Sequence, residues 1–257
     1  MSKVAISVNI SAFLDLVNSI SRFVPGARLI INAEGVVANF RADNARFKVV
    51  SSAAKLLETQ NEKELLLNLS NLDKFYQILT AVKSAENTTD IITCNVSATK
   101  IEFNGNNSDF NYSLARSETI DKFIDVDIKA NLLPLCVITT QRSTLKELIN
   151  NTSAVSDSST IRIILDAANT VTKTVRATVT DPENEYANKF SRVIGLKDSG
   201  EYPRLILSPS TLQHCMKFAL TGQDQEVNIT FTDKNSLMLN MQDAATKWTM
   251  HFAPLVR

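Results

Sequence analysis

Ser11-Ala-Phe-Leu-Asp-Leu-Val-Asn-Ser-Ile20 is the stretch that decides the fold, because its spacing returns three more times. Counted from the serine, apolar residues fall at +2, +5, +6 and +9: Phe13, Leu16, Val17 and Ile20. From Ser70 the same positions are Leu72, Phe75, Tyr76 and Leu79. From Ser143 they are Leu145, Leu148, Ile149 and Thr152, and from Ser210 they are Leu212, Cys215, Met216 and Ala219. An i, i+3, i+4, i+7 stripe is the buried face of an amphipathic helix. A serine at the head suits an N-cap, its hydroxyl accepting from an orphan backbone N–H. Four helices of about three turns each are therefore expected.

Each helix follows a short apolar run: Val4–Val8, Glu64–Leu69, Leu135–Thr140 and Arg204–Ser208. Three further strand-like stretches trail each one. Behind the first helix these are Leu29–Ile31, Val36–Phe40 and Arg46–Ser51, and behind the second Asp90–Val96, Lys100–Phe103 and Phe110–Ala115. Thr160–Leu165, Val171–Val179 and Lys189–Leu196 follow the third; Glu226–Phe231, Ser236–Met241 and Lys247–Phe252 follow the fourth. Val171–Val179 alternates apolar with polar residues, the signature of a half-buried strand. The fold class is thus α+β, a β-α-β-β-β unit repeated four times. Acids and exposed-looking apolar residues (Ile120, Phe123, Ile124, Val126, Ile128) break the pattern after the second unit. That segment reads either as an interdomain connector or as one more strand. Taken as a connector over 118–134, it divides the chain into similar domains at 1–117 and 135–257.

Composition narrows the function classes. The 257 residues hold 27 Lys+Arg and 27 Asp+Glu, for zero formal charge, with 44% apolar residues, two His, three Cys and six Gly. About 18 glycines would be average, so little is left for Gly-rich phosphate loops. No Walker loop, GxSxG, GxGxxG or HExxH occurs. His214 and His251 lack metal-ligand spacing, and Asp181-Pro-Glu183-Asn-Glu185 reads as a solvated loop. Cys94, Cys136 and Cys215 make no CxxC and read as buried small hydrophobes. Neither a catalytic site, a metal nor a cofactor is expected. No apolar run approaches the roughly 18 residues of a membrane span. The opening residues do not resemble a secretion leader, so an intracellular protein is expected. The high Asn and Ser content would suit a phage or virus.

The order of elements resembles that of DNA sliding clamps, the polymerase processivity factors of the proliferating cell nuclear antigen type and their phage counterparts. The likeness extends over the whole chain. Locally it rests on Ser236-Leu-Met-Leu-Asn-Met241 and Lys247-Trp-Thr-Met-His-Phe-Ala-Pro254, similar to the last hairpin of clamps. Asp43-Asn-Ala-Arg-Phe-Lys-Val49 and the pair Asp125-Val126 add to it. The resemblance implies helices lining a ring with sheets outside, and twelve units per ring, hence a homotrimer of this four-unit chain. Asp109–Arg116 and a strand near Thr174–Asp181 would be the complementary edges between subunits.

Duplex DNA is a polyanion that a sequence-independent sleeve meets with Lys and Arg. The expected DNA-facing residues are Arg22, Lys74, Lys83, Arg142, Lys146 and Lys217, each equally suited to solvating a helix. Asp15, Asp73 and Glu147 share those faces and weaken the field. A pI of 6.7 argues against tight duplex binding without encirclement. The resemblance also implies a pocket for short peptides of DNA polymerase and clamp loader, with Arg46, Val49, Ile128, Gly222, His251 and Pro254 at the matching positions. Val49 would equally serve as core and Pro254 as a strand end. In place of a ring, a monomeric processivity factor or a non-enzymatic structural protein would also fit the repeats.

Overall fold

The computed structural model describes residues 3–32, 35–42, 45–52, 64–85, 90–104, 109–124, 132–155, 160–166, 172–184, 186, 188–198, 205–210, 212–213, 225–233, 236–242 and 246–252. Every stretch read above as a strand is one, with ends shifted by a few residues. The first repeat comprises β1 (Val4–Asn9), α1 (Ile10–Ser21), β2 (Ala27–Asn32), β3 (Gly35–Ala42) and β4 (Ala45–Ser52). The second comprises β5 (Leu65–Leu69), α2 (Leu72–Ala85), β6 (Ile91–Val96), β7 (Lys100–Asn104) and β8 (Asp109–Ser113), followed by the short α3 (Ser117–Ile120). The third comprises β9 (Pro134–Gln141), α4 (Arg142–Asn150), β10 (Arg162–Asp166), β11 (Thr174–Thr180) and β12 (Phe190–Lys197). The fourth holds β13 (Leu205–Leu207), β14 (Glu226–Thr232), β15 (Leu237–Gln242) and β16 (Thr246–Phe252). Pro209, Ser210, Leu212 and Gln213 are helical, while Cys215, Met216 and Ala219 lie outside the described residues.

The helix starts differ from the serine caps expected. The α1 cap is Asn9, whose side-chain oxygen accepts from Ala12 N at 2.9 Å. In α2 the Asn71 side chain accepts from Lys74 N at 2.8 Å, in the same geometry. Ahead of α4 stands Gln141, which makes no side-chain cap bond. Asparagine caps as well as serine, and the phase of the apolar stripe decides which neighbour takes the place. Ser11 thereby falls inside the first turn of α1, leaving its hydroxyl to bond elsewhere.

Contacts divide the chain into one unit of Met1–Ile128 with Ala244–Trp248 and a second of Lys129–Asp243 with Thr249–Arg257. Within the first, β1-β6-β7-β8 form one sheet and β5-β2-β3-β4 follow one another in another. Each repeat therefore gives its leading strand to its neighbour: β1 pairs with β6, and β5 with β2. The second unit repeats the exchange, β13 pairing with β10 and β9 with β14. All these pairs are antiparallel. The leading strands β1, β5 and β13 have their ladder partners in the neighbouring repeat, and β9 has one there besides β12 of its own, so the two repeats of a unit depend on each other for paired edges.

The helix stripes cover the sheets. Phe13, Leu16, Val17 and Ile20 are buried, as are Leu72, Phe75 and Leu79, whereas Tyr76 is half-buried. Phe75 is the hub, its ring centroid 5.7 Å from Phe13, 6.3 Å from Phe103 and 4.8 Å from Tyr112. In α4, Leu145 and Leu148 are buried; Thr152 lies beyond the helix end and donates to Ile149 O at 2.7 Å.

Three expectations are corrected. Strand β11 is no sheet edge, since β10 and β12 flank it on both sides. The open flank in its neighbourhood is the first half of β12, where Phe190–Val193 ladder with β11 alone among the described residues. Ile120 is not exposed but fully buried, at the end of α3. Asp181 is buried rather than solvated, its carboxylate accepting from Thr160 Oγ1 at 2.6 Å and Glu183 N at 3.2 Å. That aspartate terminates β11 and ties the following turn to a segment 21 residues earlier.

Candidate nucleic-acid interface

Packing one face of α1 and α2 on a sheet leaves the other face to solvent. On α2 that outer face is Asp73, Lys74, Gln77, Thr80, Lys83 and Ser84, all exposed. Lys74 and Lys83 stand nine positions apart, about two and a half turns, and so occupy opposite flanks of the helix. Between them the surface is polar and uncharged apart from Asp73.

The two lysines sit in unlike surroundings. Lys83 is in the last turn, where the helix dipole favours a cation. Its Nζ donates to Ser11 Oγ at 2.9 Å, and that hydroxyl donates to Asp90 Oδ1 at 3.3 Å. Much of its charge is committed to joining α2 to α1. Lys74 lies in the first turn, where the dipole opposes a cation and Asp73 already supplies the favourable charge. Local helix energetics give no reason for Lys74, which leaves it the better candidate for an external anion.

Arg22 is exposed at the C-cap of α1, again a position the dipole favours. In the second unit, Arg142 opens α4 half-buried, its backbone N–H donating to Gln225 O at 2.8 Å. Lys146 is exposed on the same helix. The neighbouring Glu147 forms an ion pair with Arg192 of β12, which draws that carboxylate toward the sheet. Lys217 lies outside the described residues. Among the cations placed, then, Lys74 and Lys146 point outward with least local employment.

Of the residues implied for peptide binding, Arg46 is exposed on β4, directly across from Arg41. Val49, further along the same strand, is fully buried, so its side chain forms part of the core in this structure. His251 is half-buried on β16. Ile128, Gly222 and Pro254 lie outside the described residues. Sequence reasoning does not find Arg28 of β2, which donates to Asn68 and to Asp121, 93 residues away; no local spacing signals that contact.

Burial raises the thiol pKa of Cys94 to about 12. It does the same for Cys136, helped by the adjacent Asp198 carboxylate, again to about 12. Both stay protonated near neutral pH and lack the thiolate that nucleophilic chemistry needs. Among the described residues, no cluster of three or more His, Cys, Asp or Glu could hold a metal ion. No helix among them is long and apolar enough to cross a membrane.

Two units, each of two repeats that exchange leading strands in antiparallel sheets, match solved structures over the whole chain. One is the proliferating cell nuclear antigen (PCNA) of A. fulgidus with the C-terminal region of FEN-1 bound, 13% identical, TM-score 0.73, covering 99% of each chain. Another is PCNA of Entamoeba histolytica, also 13% identical, TM-score 0.69, covering 100% of both. The chain has the sliding-clamp fold. No family model and no curated protein matches the sequence. The clamp fold thus persists where nearly nine residues in ten differ, because it asks for apolar positions at the right period rather than for particular side chains.

Proposed function

We propose that this chain is a sliding clamp: three copies close head to tail into a ring around duplex DNA and tether a DNA polymerase for processive replication. The observation that carries the reading is the end-to-end match of a four-repeat chain to PCNA structures, with neither partner leaving an unmatched domain. A ring of heterologous contacts needs two different open strand edges on each copy. Strand β8 borders its sheet in the first unit, and the first half of β12 has an open flank in the second. The ring would join β8 of one copy to β12 of the next.

DNA contact would run through Lys74, Lys146, Arg22, Arg142 and Lys217, with Lys83 contributing what its tie to Ser11 leaves. Few and exchangeable phosphate contacts suit sliding, since topology rather than affinity holds the ring. A. fulgidus PCNA holds the C-terminal region of FEN-1. By that parallel, short peptides of polymerase and clamp loader would dock here through Arg46, Ile128, Gly222, His251 and Pro254, with Val49 beneath as support. The reading gives the chain no catalytic step, metal or cofactor, and places it inside the cell with the replicating DNA. ATP would be used by the loader.

Once loaded on closed circular duplex, the protein is expected to remain bound through gel filtration and to be lost when one cut linearises the circle. Equal retention on circular and linear DNA would overturn encirclement. A labelled peptide from the C-terminal region of FEN-1 serves as the probe of peptide capture.

A further inference from the structure

The segment after β8 does not leave the first unit freely. Ala115 N donates to Asn68 O at 2.9 Å, and Ser117 Oγ lies 3.5 Å from Asn68 Nδ2. Ile120 is buried without exposed surface. Arg28, its side chain only 20% exposed, reaches two groups at once. Its Nε donates to Asn68 Oδ1 at 2.8 Å and its Nη2 to Asp121 Oδ1 at 3.1 Å. Arg28 and Asn68 are direct cross-strand partners on β2 and β5, so the strand ladder itself aims the guanidinium. Gly26 completes the seat. A Cβ there would stand 2.9 Å from the backbone Leu69 O, which would force a shift, and 3.2 Å from the Phe123 ring, which would have to move back slightly.

We propose that Arg28 is a positioning residue for the connector, holding Ala115–Ile124 on β2 and β5 so that the connector departs from a fixed point and presents itself to a partner peptide. The functional half rests on the peptide-capture reading above; the structural half does not. A planar guanidinium is needed because two acceptors in different directions must be met by one side chain, which a lysine ammonium on a thinner stem cannot do with the same fixed fork.

The test compares wild type with Arg28→Gln, Arg28→Lys and Asp121→Asn by hydrogen exchange and by anisotropy with the labelled FEN-1 peptide. Asp121 is exposed, so its variant keeps the test open if Arg28→Gln fails to fold. Arg28→Gln is expected to speed exchange across 115–124 about tenfold, the scale of a lost charged hydrogen bond, while β3 and β7 amides keep wild-type rates. Arg28→Lys and Asp121→Asn should fall between. Peptide affinity should weaken in the same order. Unchanged exchange in 115–124 overturns the proposal outright. Faster exchange with unchanged peptide affinity overturns the positioning role. If the wild type itself ignores the peptide, peptide capture as read here fails, and the exchange result alone then decides whether Arg28 holds the connector.

Discussion

Replacing Gly195 by alanine is expected to destabilise the second unit by about 3 kcal/mol or more, the upper range for forced overpacking. A Cβ on Gly195 would stand 1.9 Å from Thr139 O, 2.9 Å from Thr139 C and 3.3 Å from Thr140 Cα. All three are backbone atoms, so no rotamer change relieves the clash. Gly195 pairs with Thr140 on one side and Val175 on the other, at the point where the ladder shifts register between Val175 and Arg176. Ile194 is the extra residue there, and its carbonyl accepts from Thr140 Oγ1 at 2.6 Å. Forcing β12 from β9 would cut the sheet between β13-β10-β11-β12 and β9-β14-β15-β16. With an m-value of about 1.5 kcal/mol/M in urea for a unit of this size, its midpoint should fall by about 2 M. Exchange-monitored urea unfolding reads the two units separately. An unmoved second-unit midpoint would contradict the close approach of β12 to β9.

Phe75→Ala is expected to cost the first unit about 3–5 kcal/mol, the range for truncating a fully buried phenylalanine. The ring touches Phe13 of α1, Phe103 of β7 and Tyr112 of β8, so its loss opens a cavity where both helices meet the sheet. Tyr112 also steadies the start of α2. Its hydroxyl donates to Asn71 O and accepts from Asn71 N, both at 3.1 Å, holding the residue that caps the helix. Loosening that tyrosine should fray the first turn, where Lys74 sits. Urea unfolding and exchange in 72–78 would show both effects. A loss below about 1 kcal/mol would mean that the cavity collapses and that Phe75 is no hub.

Strands are legible in the sequence because alternation in a stretch such as Val171–Val179 follows directly from the pleat, and the helix stripes because each has the same period. Pairing order is not. Nothing local in Thr174–Thr180 tells that β10 and β12 lie on both sides of it, so an interior strand reads as an edge. Burial and ties to distant residues are equally hidden: Ile120 stands among acids and looks exposed yet is buried, and the next residue, Asp121, is held by Arg28 from 93 residues away. Asp181 needs Thr160, and Lys83 needs Ser11 and Asp90. At α1 and α2 the difference in helix caps has a smaller cause, an asparagine and a serine within three positions of each other and a helix phase that chooses the asparagine. Of the candidate site, sequence locates cations on or beside helices; only coordinates separate Lys74 and Lys146, whose side chains make no tie among the described residues, from Lys83, which is bonded to Ser11.

Ring closure by three copies is the claim on which the rest depends, and native mass at tens of micromolar tests it most directly. Sedimentation equilibrium is expected to give about 85 kDa, three times the 28.4 kDa chain. A species that stays at 28.4 kDa over the whole concentration range, with or without DNA, would contradict it.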